Sequence, residues 1–97
     1  MSRTVRRFQI PLQDSWSLEL PRGAQLLAVG NAPSLIDPSV QENVLWVLTT
    51  EQATRTFRFL TIYDEIPTDA RLGVYLGTFR INGEPTAIAH VFRAGTR

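Results

Sequence analysis

Apolar and polar residues alternate along most of the chain. Phe8, Ile10 and Leu12 follow one another at intervals of two residues, and Trp16, Leu18 and Leu20 interleave with Ser15, Ser17 and Glu19. A period of two predicts strands with one buried face. A loop of Gln13, Asp14 and Ser15 would join these two as a hairpin, pairing Leu12 with Trp16, Ile10 with Leu18 and Phe8 with Leu20. A two-residue loop would instead set Ile10 and Leu12 against serines. In "LPRGA", Pro21 and Gly23 fit the second and fourth positions of a type I turn. A strand at "AQLLAV" follows, then the longest expected loop, residues 31 to 43, "NAPSLIDPSVQEN", where Ser39 and Glu42 could frame one helical turn. Strands resume at "VLWVLTT" and "RTFRFLTIY", separated by a short polar turn near Glu51 to Thr54.

Beyond the loop "DEIPTDARL", the strand "GVYLGTFRI" runs into Asn82-Gly83, the strongest short hairpin signal in the chain, and then into "TAIAHVF". A tight turn there pairs Ile81 with Glu84, Phe79 with Thr86, Gly77 with Ile88 and Tyr75 with His90, and puts Pro85 on an edge. About seven short, mostly antiparallel strands and no long helix predict one all-β domain over residues 1–97, a small β-sandwich or partly open barrel.

Several of these strands are apolar on both faces, a pattern of double burial that a two-layer domain of this length is not expected to satisfy. If Trp46, Phe57, Phe59, Tyr75, Phe79, His90 and Phe92 line the core with Phe8 and Trp16, the opposite faces carry aliphatic side chains. Leu45, Val47, Leu60, Ile62, Val74, Leu76 and Val91 then form a candidate partner-binding face, with Leu27 and Val29 beside it. Its occupant would be another protein or a second copy in a homo-oligomer. The alternatives are that the first hairpin or the 31–43 loop folds over it, or that the inner and outer faces are reversed.

Composition narrows the chemistry. The 97 residues carry a net charge of +1 with 20% charged positions, so neither a polyanion-seeking protein nor a disordered tail is implied. All ten cations are arginine. Arg3, Arg6, Arg7, Arg55 and Arg58 are candidate phosphate contacts, and with the aromatics of "RTFRFL" they define the alternative reading, a nucleic-acid or nucleotide binder. The absence of cysteine removes disulfides, thiol nucleophiles and sulfur-ligated metals. The single histidine, His90, has a phenol as its expected neighbour, no second histidine to share a metal, and no nucleophile motif, so it reads as structural. Asp64, Glu65 and Asp69 do not match a calcium loop and read as a solvated loop. No catalytic residue, metal or cofactor is expected. No signal-peptide core and no membrane-length apolar run are present, so a soluble cytoplasmic protein is expected.

The succession "LPRGAQLLAV", "LWVL", "RTFRFL", "YLGTF" and "HVF" resembles a family of short uncharacterised proteins of bacteriophages and prophages. The matching positions are Pro21, Arg22, Gly23 and Ala24, Trp46, Arg55 to Phe57, Tyr75, Gly77 to Phe79, and His90 to Phe92. Residues 31–43 and "TIYDEI" depart from the pattern, both in loops. The resemblance implies a phage protein acting in the cytoplasm of an infected bacterial host, and it brings no catalytic residues. The function expected is that of a non-catalytic protein-binding module, acting on a host protein or in virion or self assembly.

Overall fold

A computed structural model describes residues 3–49, 53–63 and 72–94. The strands are β1 (Thr4–Gln9), β2 (Ser15–Pro21), β3 (Gln25–Pro33), β4 (Gln41–Thr49), β5 (Thr54–Ile62), β6 (Val74–Arg80) and β7 (Ile88–Arg93). They form two antiparallel sheets, one ordered β1-β4-β3 and the other β2-β5-β7-β6. The expected all-β sandwich is what forms, and it does not close into a barrel.

The first two strands are not a hairpin. Phe8 stands opposite Leu45 in one sheet, and Trp16 stands opposite Phe59 in the other. The chain crosses between sheets at residues 10 to 14, held by Ile10 N–H on Asn43 O (2.7 Å) and Thr61 N–H on Asp14 O (2.8 Å). The crossing lets Ile10, Trp16 and Leu20 bury between two layers at 2%, 6% and 0% exposure, more than a two-stranded ribbon could provide. Leu12, in the crossing itself, is exposed.

The core joins Ile10, Leu45 and Val47 of the first layer to Trp16, Leu20, Phe57, Phe59, Phe79, Ala89 and Val91 of the second. Trp16 stacks on Phe59 at 4.3 Å, and its indole N–H donates to Thr61 Oγ1 at 2.7 Å, so both buried polar groups are satisfied.

Local turns refine the expected ones. The turn after β2 runs from Pro21 to Ala24, closed by Ala24 N–H on Pro21 O, with Gly23 third at φ 82°. It therefore starts one residue later than predicted. Asn82 and Gly83 do adopt positive φ, and Glu84 N–H bonds Ile81 O as the asparagine-glycine turn requires. A second turn follows at once, Glu84 to Ala87, with Pro85 at its second position where a fixed φ is favourable and no N–H is needed. The inserted turn moves the β6–β7 register by three, so Thr78, not Tyr75, faces His90, and beyond the irregularity between Tyr75 and Gly77 the shift falls to two, setting Tyr75 opposite Phe92.

Strand β3 runs alongside β6 at one side of the sandwich. A Cβ at Gly77 (φ 150°) would lie 3.3 Å from Val29 Cβ, so glycine permits the approach. Asn31 bridges the same seam like a strand residue: its Nδ2 donates to Arg80 O and its Oδ1 accepts from Arg80 N–H, both at 2.7 Å.

Candidate protein-docking surfaces

The aliphatic face expected from the sequence is not a free surface. Leu45, Val47 and Val91 are fully buried at the centre of the core, and Leu76 packs against it. Leu60 and Ile62 are half-buried on the outer side of the four-stranded sheet, and Val74 is exposed at the start of β6. On β5 the assignment holds, with Phe57 and Phe59 inward and Leu60 and Ile62 outward, but two effects change it on the other strands. Alternation fixes which residues share a face but not which face points inward, and here the odd positions of β4 and β7 do. A bulge between Tyr75 and Gly77 then changes parity within β6, so Phe79 enters the core while Tyr75 stays outside.

Outside the four-stranded sheet lie Leu60, Ile62, Tyr75, Ile88, His90 and Phe92. Tyr75 meets Phe92 edge-on at 5.1 Å, and its hydroxyl is 3.2 Å from His90 Nδ1. The expected phenol–histidine contact is present, diagonally across the strands and on the outer face. Tyr75 closes over Phe92, which is only 6% exposed, so much of this aromatic surface covers itself.

The strand order collects arginines. The start of β1, the β2–β3 turn and the start of β5 lie at one end of the sandwich, with Arg3, Arg6, Arg22 and Arg55. Arg93, opposite Phe59 midway along β5, reaches back over Phe57 to the same ring as Arg55. Arg6 stacks over Phe8 at 5.1 Å, and Arg55 and Arg93 stack over Phe57 at 5.0 and 4.5 Å. These guanidiniums are ordered by the rings beneath them while their charges face water. Of the candidate phosphate contacts, Arg3, Arg6 and Arg55 belong to this end. Arg7 is held by Glu42 (3.1 Å) and Pro33 O (2.7 Å), and Arg58 lies on the outer sheet face opposite Ser17. Arg22 and Arg93 are not among the phosphate contacts expected from the sequence, because a turn residue and a strand-end residue join the cluster only through strand order.

At the opposite end is the tip of the β3–β4 hairpin. The ladder continues to Pro33 opposite Gln41, so the expected 31–43 loop shrinks to residues 34–40 and stands clear of the sheets. Its backbone is pinned from within. Ser34 N–H bonds Val40 O (2.8 Å), and Val40 N–H bonds Asp37 O (2.9 Å). Ser34 Oγ accepts from Ile36 N–H, while Asp37 Oδ1 accepts from both Ser39 N–H (3.1 Å) and Ser39 Oγ (2.7 Å). The Ser39 hydroxyl, and then its N–H, hold the Asp37 carboxyl below its ordinary pKa. On this frame Leu35 and Ile36 are 85% and 96% exposed. The sequence signal was there, an apolar pair inside a proline-, serine- and aspartate-rich loop, but composition alone does not show whether such a pair folds inward.

Among the described residues, no cluster of histidine, aspartate and glutamate could hold a metal ion, and no helix is long and apolar enough to cross a membrane. Asp64, Glu65 and Asp69 lie outside the described residues.

A family model described as a domain of unknown function, DUF7352, matches residues 1–97. The chain belongs to this family. No curated protein and no solved structure matches it. The functional reading of this DUF7352 domain therefore rests on its own surfaces.

Proposed function

We propose that this DUF7352 domain is a non-catalytic protein-binding module that docks through the tip of its β3–β4 hairpin. One observation carries the reading: Leu35 and Ile36 are almost wholly in water on a backbone fixed by its own hydrogen bonds. Two bulky aliphatic side chains on a rigid tip lose little conformational freedom on binding and gain the full burial of their surface. The resemblance to phage proteins supports a setting in the cytoplasm of an infected bacterial host, with a host protein, a phage protein or a second copy as partner.

The test is a photo-crosslinking residue at Ile36, with Ser17 on the outer sheet face as the control position. A discrete adduct from Ile36 that disappears when Leu35→Ser is added is expected. No adduct from Ile36, or one indifferent to Leu35→Ser, refutes docking through the tip.

A second reading, nucleic-acid binding, is favoured by the gathering of Arg3, Arg6, Arg22, Arg55 and Arg93 at one end. Five phosphate contacts would give a salt slope of about −3.5 to −4.5 in log K against log salt. An oligonucleotide titration with a flat slope, or one unchanged by Arg22→Ala with Arg55→Ala, removes it.

A further inference from the structure

We infer that copies of this chain associate head to tail, the hairpin tip of one seating against the arginine end of the next. The inference rests on the tip-docking reading above and names its occupant.

The described charges are sorted along the strand axis. Asp14, Asp37, Glu42 and Glu84 stand at the tip end, with Arg7 neutralised by Glu42 and Arg80 close in sequence to Glu84. Arg3, Arg6, Arg22, Arg55 and Arg93 stand at the other end. Arg58 lies midway along β5, and Glu19, bonded by Thr56, is the described acid beside the arginine end. Glu51, Asp64, Glu65, Asp69, Arg71 and Arg97 are outside the described residues. Among the described residues this separation gives the two ends opposite sign, and with a net charge of only +1 bulk repulsion does not oppose association.

Symmetric contacts are disfavoured by the same pattern. Tip against tip opposes Asp37 to Asp37, and base against base opposes arginines to arginines. Pairing the β1 edge with itself, antiparallel about its centre, sets Arg6 against Arg7 of the second copy, like charges directly opposite. Of these contacts, tip against base matches sign to sign. It also matches surface to surface: Leu35 and Ile36 meet guanidinium planes stacked on Phe8 and Phe57, which are flat and weakly hydrated, while Asp37 finds cations. A contact between unlike patches leaves a free tip and a free base on every open assembly, so it builds filaments, or rings where the two ends meet, rather than two-fold dimers.

Light scattering across a concentration series, with two variants, tests this. One is Leu35→Ser with Ile36→Ser, which loses the tip; the other is Arg22→Glu with Arg55→Glu, which loses the base. The wild type should grow beyond dimer as concentration rises, and less so in high salt. Each variant alone should associate about 10²- to 10⁴-fold more weakly, two buried aliphatic side chains being the larger loss. Mixed one to one, the variants should form a dimer and stop, because one intact tip and one intact base remain. A wild type that stays monomeric, or a mixture that does not pair, overturns the inference. A monomeric wild type whose Ile36 still crosslinks to another protein leaves the docking reading standing. A tip variant that assembles like the wild type overturns the head-to-tail inference and leaves the docking reading to the Ile36 crosslink, and oligonucleotide binding by a monomeric wild type overturns it too by assigning the arginine end to nucleic acid.

Discussion

Replacing Asn31 by aspartate changes one NH₂ group to an oxygen and almost nothing else in shape, yet it should loosen the seam between the two sheets. The side-chain orientation is fixed by its partners, since Arg80 N–H needs an acceptor and Arg80 O needs a donor, each at 2.7 Å. Asn31→Asp keeps the acceptor and loses two donations, the one to Arg80 O and the 3.3 Å bond to Asn43 Oδ1. At about 0.5–1.5 kcal/mol net per hydrogen bond, the loss is about 1–3 kcal/mol. A carboxylate oxygen facing a carbonyl oxygen pushes toward the upper half of that range. In a domain of this size each kcal/mol lowers Tm by roughly 4–8 °C.

The loss should depend on pH. When protonated, the introduced carboxyl can again donate to Arg80 O, so the folded state holds its proton more tightly than the unfolded chain does. Its folded pKa is thereby raised. The stability it contributes is present below the unfolded pKa and lost as pH rises through the folded one. The gap between wild type and Asn31→Asp should therefore narrow on acidification, while the gap for Asn31→Ala, with no proton to bind, should not. Urea unfolding followed by tryptophan fluorescence at a series of pH values measures both. An Asn31→Asp variant within about 0.3 kcal/mol of wild type at neutral pH, or a gap constant with pH, would refute the bridge.

Three further outcomes are expected. Thr61→Val keeps the shape of the site but strands the buried Trp16 indole N–H, costing about 1–3 kcal/mol in chemical denaturation; in a Trp16→Phe background the same change should be nearly neutral, and additive losses would contradict the bond. Gly77→Ala meets Val29 and a φ of 150°, and should lose roughly 1–3 kcal/mol by thermal unfolding. Adding Val29→Gly, which removes the Cβ that the new methyl meets, should relieve only the steric part when measured against Val29→Gly alone, and complete rescue would show that the backbone is unstrained. Ser39→Ala should raise the Asp37 carboxyl toward its ordinary value in an NMR titration. Because the folded pKa is the lower one, the ordering of the tip is present at neutral pH and lost as pH falls through that pKa, so amide exchange at Ser39, corrected for its intrinsic pH dependence, should quicken on acidification. Unchanged protection would mean that the carboxylate does not hold the tip.

Much of the local structure was legible in the residue pattern. Alternation located the strands, and Asn82-Gly83 marked a turn that forms with the positive φ angles such a pair favours. Missing cysteines and the lone His90 left little reactive chemistry to propose. Period two, however, is symmetric under exchange of the two faces. Where both are apolar, as in "VLWVL" and "AIAHVF", the pattern carries no sign, and Leu45, Val47 and Val91 went inward although the aromatics were expected there. Sheet membership is equally absent from local sequence: β1 could read as the partner of β2 because the alternative, β1 with β4 and β2 with β5, is a choice made by burial across two layers. The two ends of the molecule exist only in three dimensions. Arg3, Arg22, Arg55 and Arg93 are far apart along the chain and meet because antiparallel strands return to the same end, while Leu35 and Ile36 become a tip because the hydrogen bonds of Ser34 and Asp37 close their loop upon itself.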